Sequence, residues 1–256
     1  MNAQSLREIA EWFIKTHGDR WVRNNRLISW AGKLGISLNL DGKLDEEQLF
    51  RLFVLAVLWN NRPTSRAERG VQVFEEIKDD YKLQYFRVAI QNNDRERKLK
   101  EIALQRIRNL GIYYLLKFIA NGRIWTEIKN TLESPVIGNE EDDLRRLKEL
   151  SEKFRGRPAH LKVKLFLIFR EIRIQFREAG KYQYHPVVCC VPDSNVRKAL
   201  VKLKFLDTDR SNLDDMIRAS RLIAGAFCTE EYELYDLPLF YWYREVGKKI
   251  PGDIQS

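Results

Sequence analysis

Apolar positions recur along this chain at intervals of three and four residues, the spacing that lines one face of an α-helix. The first run opens on Ser5-Leu6-Arg7-Glu8, a capping box, and then places Leu6, Ile9, Ala10 and Phe13 on one face. Residues 45–60, DEEQLFRLFVLAVLWN, begin with acids that suit a helix N-terminus and then become apolar all round, which predicts a buried central helix. Further helices are predicted over residues 66–78, 81–90, 95–111, 111–120, 125–132 and 140–154. In the second half the same period predicts helices over 160–178, 194–205, 212–227 and 236–248. Strand patterning is poor. Its one instance is residues 35–44, where Ile36, Leu38 and Leu40 alternate ahead of Asp41-Gly42, a small hairpin or loop. The fold class expected is all-α. Residues 133–143, ESPVIGNEEDD, are the most loop-like internal stretch and mark a boundary between two lobes of one unit, with the two ends of the chain packing together.

Composition narrows the function. The 256 residues carry a net charge of +9 and a pI near 9.4, a balance that fits a polyanionic partner. A charged fraction of 32% fits equally the solvated surface of a thermophile's protein. No apolar run is long enough to cross a membrane, and the first residues lack the pattern of a signal peptide. The three cysteines, Cys189, Cys190 and Cys228, are too few for a disulfide framework or a four-cysteine metal site, and Cys189-Cys190 reads as buried packing. His17, His160 and His185 have no ligand spacing. The expectation is a cytoplasmic chain without disulfides, structural metal or cofactor.

Three segments concentrate polar chemistry. VLAVLWNNRPTS (54–65) is a buried helix ending in Trp59, Asn60, Arg62 and a proline turn. FRGRPAHLKVKLFLIF (154–169) is a tight turn through Arg155, Gly156 and Arg157, followed by a helix with Lys162 and Lys164 near its start. VPDSNVRKAL (191–200) sets Asp193 just after Pro192 at the mouth of a basic helix. Asp193 suits a plain helix cap, with Ser194 sharing the role, and it also suits a catalytic carboxylate.

In order and spacing these segments resemble the helix-hairpin-helix DNA glycosylases, the superfamily of endonuclease III and the 8-oxoguanine glycosylases. VPDSNVRKAL resembles their run P-V-D-[ST]-[HN]-V-x-R/K, with Pro192 where valine is usual. AVLWNNRPTS lies over their LLSxQxTD element, and LYDLPLFYWYREVG (234–247) over their last helix, though the final Gly-Arg pair is absent. The resemblance covers residues 45–247. It is nearest to the archaeal 8-oxoguanine glycosylases, which share a hairpin without Gly-x-Gly, no iron–sulfur cysteines and a long lysine-to-aspartate spacing. Lys162 and Asp193 are 31 residues apart.

The resemblance implies two helical lobes with a cleft between them, binding double-stranded DNA that contains a damaged base, as a monomer and without a membrane. It implies base flipping, excision of an oxidised purine such as 8-oxoguanine, and a β-lyase step through a lysine Schiff base, in a prokaryotic or archaeal nucleoid. Lys162 would be the nucleophile and Asp193 the acid beside the developing oxocarbenium ion, with Lys164 as the alternative nucleophile. Lys162 and Lys164 lie about 200° of rotation apart on a helix, so only one can face Asp193. Trp59, Asn60, Pro192 and Trp242 would line the base pocket. Arg62, Arg155, Gly156, Arg157, Lys164, Asn195 and Arg197 would contact DNA. The acid that reads the base in the archaeal group falls on Pro238, with Asp236 near but out of register. Three other readings stand beside this one: the same fold acting on another damaged or deaminated base, a non-catalytic DNA-binding or adaptor protein, and an unrelated helical interaction protein.

Overall fold

A computed structural model describes residues 5–18, 46–47, 49–50, 53, 93–105, 114, 117–118, 121–132, 138–154, 160–175 and 182–249. These residues are mostly helical, and they contain no strand beyond an isolated antiparallel bridge between Cys228 and Glu233. The fold is all-α. The expected hairpin over 35–44 and the expected helices over 66–78 and 81–90 lie outside the described residues. The chain divides into two compact units. One comprises Met1–Asn25, Ile137–Ile174 and Gln183–Ser256, the other Arg26–Val136 and Gln175–Tyr182.

In the second unit, α2 (Asn93–Gln105) and α3 (Gly122–Leu132) are the described helices with full bounds. Glu46, Glu47, Leu49, Phe50 and Phe53 are helical, and the three apolar ones are buried. Trp125 of α3 takes the rings of Phe50 and Phe53 edge-on, with centroids at 5.4 and 5.7 Å. Such edge-to-face contacts set negative ring faces against positive edges, and they fix the helix that the sequence marks as central.

The first unit holds the remaining helices: α1 (Leu6–His17), α4 (Glu140–Lys153), α5 (His160–Gln175), α6 (Pro186–Cys189), α7 (Ser194–Lys202), α8 (Leu213–Phe227) and α9 (Leu237–Glu245), then a 3₁₀ turn at Gly247–Lys249. The predicted capping box on α1 is formed: Ser5 Oγ accepts from Glu8 N–H, and the Glu8 carboxylate accepts from Ser5 N–H at 2.8 Å. α1 packs on α8 and α9, so the N-terminal helix closes over the C-terminal ones. Phe13 and His17 meet Tyr241 at ring centroid distances of 5.7 and 4.7 Å.

α5 is the interior helix of this unit. Leu165 through Phe169 and Ile172 are all buried, so its sequence is apolar on every side over that stretch. α6 is a single turn, begun by His185 as cap and Pro186 at its first position, which needs no N–H there. Val187, Val188 and Cys189 are thus helical, Cys190 ends the turn, and all four are buried, with α6 packed against α4 and α8. The turn is held at its start by Asp143. This fully buried carboxylate accepts from His185 N–H at 2.7 Å through Oδ2 and from Arg146 at 2.7 Å through Oδ1.

Gly138 stands where Asp143 leaves no room. A Cβ there would lie 1.8 Å from Asp143 Oδ2. Gly138→Ala must therefore displace a buried, fully used carboxylate, and it is expected to destabilise the chain by about 1–3 kcal/mol. Urea unfolding checks this, and an unchanged midpoint would contradict it.

Candidate functional site

Asp193 is the N-cap of α7. Its backbone is extended, and Oδ1 accepts from Val196 N–H at 2.9 Å. The local reading of VPDS as a helix start is therefore what the chain does. The cap is not at the surface, however: Asp193 is 4% exposed. Burial pushes its carboxyl up to about 6. The N–H groups of Val196 and Asn195 and the charge of Arg197 restrain that rise, and the neighbouring Asp236 adds to it.

Lys164 is a second cation that feels Asp193. It lies in the second turn of α5 and is 6% exposed. Burial pushes its ammonium down to about 8; Asp193 opposes that fall and Arg170 adds to it. At pH 7 about one Lys164 in ten is then a neutral amine, against a negligible fraction for an ordinary lysine. Lys162, two residues earlier and so on another side of α5, has a half-buried side chain.

Behind this pair lies a buried cluster that the sequence reading missed. Arg170 donates to Asp236 Oδ1 at 2.7 Å and to Glu171 Oε1 at 3.3 Å. Asp236 Oδ1 also accepts from Val191 N–H at 2.9 Å. One carboxylate oxygen thus ties α5, the start of α9 and the segment that leads into Asp193. Glu171 is fully buried, and its Oε2 has no hydrogen-bond partner among the described residues. Burial pushes its carboxyl up to about 7, against the pull of Arg170. The visible signal was Arg170-Glu171 in the middle of LFLIFREIRI, two opposite charges inside an apolar helix.

Other expected site residues take structural places. Arg197, expected on DNA, is 6% exposed and spends its guanidinium on backbone: it donates to the Asp209 carbonyl at 3.1 Å and to the Pro192 carbonyl. There it braces the start of α7. Pro192 is buried and offers that carbonyl. Trp242, expected to face a flipped base, is 2% exposed, and a Cβ on Gly247 would lie 2.9 Å from its Cζ3. It fills the junction between α9 and the turn that follows. Lys164, expected also as a phosphate contact, is buried. Asn195 is half-buried and gives its N–H to the cap. Asp236 holds Arg170 and Val191 in place of a ligand. Trp59, Asn60, Arg62, Arg155, Gly156 and Arg157 lie outside the described residues. No group of three or more metal-ligating side chains occurs among the described residues.

The arrangement offers a buried amine near neutrality, a carboxyl raised toward neutrality, and a braced helix start between them. Perturbed groups of opposite kind held together mark candidate chemistry, and they occur also in structural ion clusters. Compared with family models, with curated proteins and with solved structures, the chain matches none.

Charge at Asp193 costs stability. Its folded-state pKa is raised, so between about pH 4 and 6 the folded state holds more protons than the unfolded one, and stability falls as pH rises. Glu171 adds the same sign between its ordinary value and about 7. Asp193→Asn keeps a capping oxygen and removes the ionisation. Measured by urea unfolding at pH 4 and pH 7, the variant should gain stability relative to wild type as pH rises. A difference that stays constant across that window would contradict the buried ionisation.

Proposed function

We propose that the chain is a DNA glycosylase with a lyase step, in which Lys164 is the nucleophile and Asp193 the acid beside it. The observation that carries this reading is a buried lysine, lowered to about 8 by burial, that feels the charge of a buried helix-start aspartate. The likeness of VPDSNVRKAL to the helix-hairpin-helix glycosylases, the basic balance of the chain and its all-α fold support it.

A base cannot be removed while stacked in a duplex, so it is flipped out first. The neutral Lys164 amine then attacks the sugar C1′, the C1′–N bond breaks, and the base leaves with its bonding electrons and takes up a proton. The Asp193 carboxylate stabilises the positive charge that develops at C1′. Ring opening gives an imine between Nζ and C1′, and loss of a C2′ proton expels the 3′-phosphate. Burial of the amine raises its neutral fraction, and Asp193 beside it stops the pKa falling further. With Lys164 in this role, Lys162 supplies only a helix-start charge. The substrate class proposed is an oxidised purine, with 8-oxoguanine first.

A second reading is favoured by one observation: Lys164 and Asp193 are both almost closed to solvent. In that reading they belong to the buried charge cluster with Arg170, Glu171 and Asp236, and the protein binds DNA without cutting it.

Borohydride trapping separates the two. Duplexes carrying 8-oxoguanine, uracil, hypoxanthine, thymine glycol or an abasic site are incubated with the protein and reductant. The expected result is a covalent adduct on 8-oxoguanine that survives Lys162→Gln and is lost in Lys164→Gln, with the latter still folded by circular dichroism. An adduct lost only in Lys162→Gln would move the nucleophile. Neither adduct nor base release on any duplex, with salt-dependent DNA binding retained, would favour the non-catalytic reading.

A further inference from the structure

Cys190 and Cys228 are 38 residues apart in sequence, and their sulfur atoms lie 3.8 Å apart. Both are free thiols. The sequence treats Cys189-Cys190 as one apolar pair, but the fold separates their surroundings. Only Cys190 has its sulfur in hydrogen-bonding range of Cys228 among the described residues, while burial pushes both the Cys189 and Cys190 thiols up.

The backbone on each side is held in place. Cys190 ends α6, and its N–H donates to the Pro186 carbonyl at 3.0 Å. The Ser220 hydroxyl lies 2.8 Å from the Cys190 carbonyl and also against that of Val187, sharing its one proton between them. The next residue, Val191, gives its N–H to Asp236. On the other side, Cys228 closes α8 by donating its N–H to the Ala224 carbonyl, and it bridges to Glu233 across a small turn. A disulfide needs sulfur atoms about 2.05 Å apart. The two sulfurs, 3.8 Å apart, must therefore close by a little under 2 Å.

We propose that Cys190 and Cys228 form a reversible disulfide, a modification that clamps the segment leading into Asp193 to the end of α8. Cys228 is the half-exposed member of the pair, and Cys190 is buried. A peroxide therefore meets Cys228 first: its thiol is oxidised to a sulfenic acid while the peroxide is reduced to water. The Cys190 sulfur then attacks the Cys228 sulfur, the S–O bond breaks, and the hydroxide leaves as water with the Cys190 proton. Each disulfide consumes one hydrogen peroxide and releases two waters. A thiol reductant reverses it. The cross-link requires no DNA and stands independently of the glycosylase reading.

The test is oxidation of the purified full chain with hydrogen peroxide, followed by alkylation of remaining thiols, non-reducing peptide mapping and thermal melting. The expected map joins the Cys190 and Cys228 peptides and leaves Cys189 alkylated. The expected Tm rises by roughly 10 °C, as closure of a loop of this size in the unfolded chain implies, and dithiothreitol returns it. Cys228→Ser alters only the half-exposed partner, should fold, and should show neither the link nor the rise. A link through Cys189, a sulfinic acid on Cys228 with no link, or a linked protein that melts no higher would each overturn the proposal.

Discussion

The Asp236 carboxylate is the constraint on which the first unit's interior depends. Its Oδ1 takes the guanidinium of Arg170 and the N–H of Val191 within 3 Å. Arg170 belongs to an interior helix, and Val191 to the two-residue lead into Asp193. Removing Arg170 would leave two buried carboxylates, Asp236 and Glu171, without their cation, a loss of about 3–5 kcal/mol for buried pairs broken in this way. Burying such a pair gains little net stability over apolar packing, so its visible consequence is positional. It fixes the start of α7 relative to α5, and with it Asp193 relative to Lys164.

That geometry holds several ionisable groups away from water in one region. Burial lowers the Lys164 ammonium and raises the Asp193 carboxyl, and Arg170 and Asp236 add to the two shifts. The same buried surroundings that hold the segment therefore bring the amine and the carboxyl toward neutrality from opposite sides. The cost appears as charge that the fold tolerates poorly, including Glu171 Oε2, which has no hydrogen-bond partner among the described residues. Groups held against their ordinary ionisation are a common trade of stability for reactivity.

Local chemistry was legible in the sequence. The capping box of α1 and the Asp193 cap of α7 depend on residues within one turn of each other, and each is formed. Relations that depend on helix rotation or on distant segments were not legible. α5 is apolar on every side along much of its length, so no periodic stripe sets which lysine faces inward, and Lys164 rather than Lys162 does. Arg197 follows a helix start, where phosphate contacts are common, but the carbonyls of Pro192 and Asp209 claim it. Arg170 and Asp236 stand 66 residues apart, and their pairing needed the fold to show it.

Lys164 is an amine brought near neutrality by burial and sensitive to Asp193. Its direct measurement is the ionisation of that ammonium, followed by NMR on protein with labelled lysine side chains and assigned with Lys164→Gln. The expected pKa is about 8, and it falls further in Asp193→Asn because the opposing negative charge is gone. A value near the ordinary 10.5, unchanged by Asp193→Asn, would contradict it.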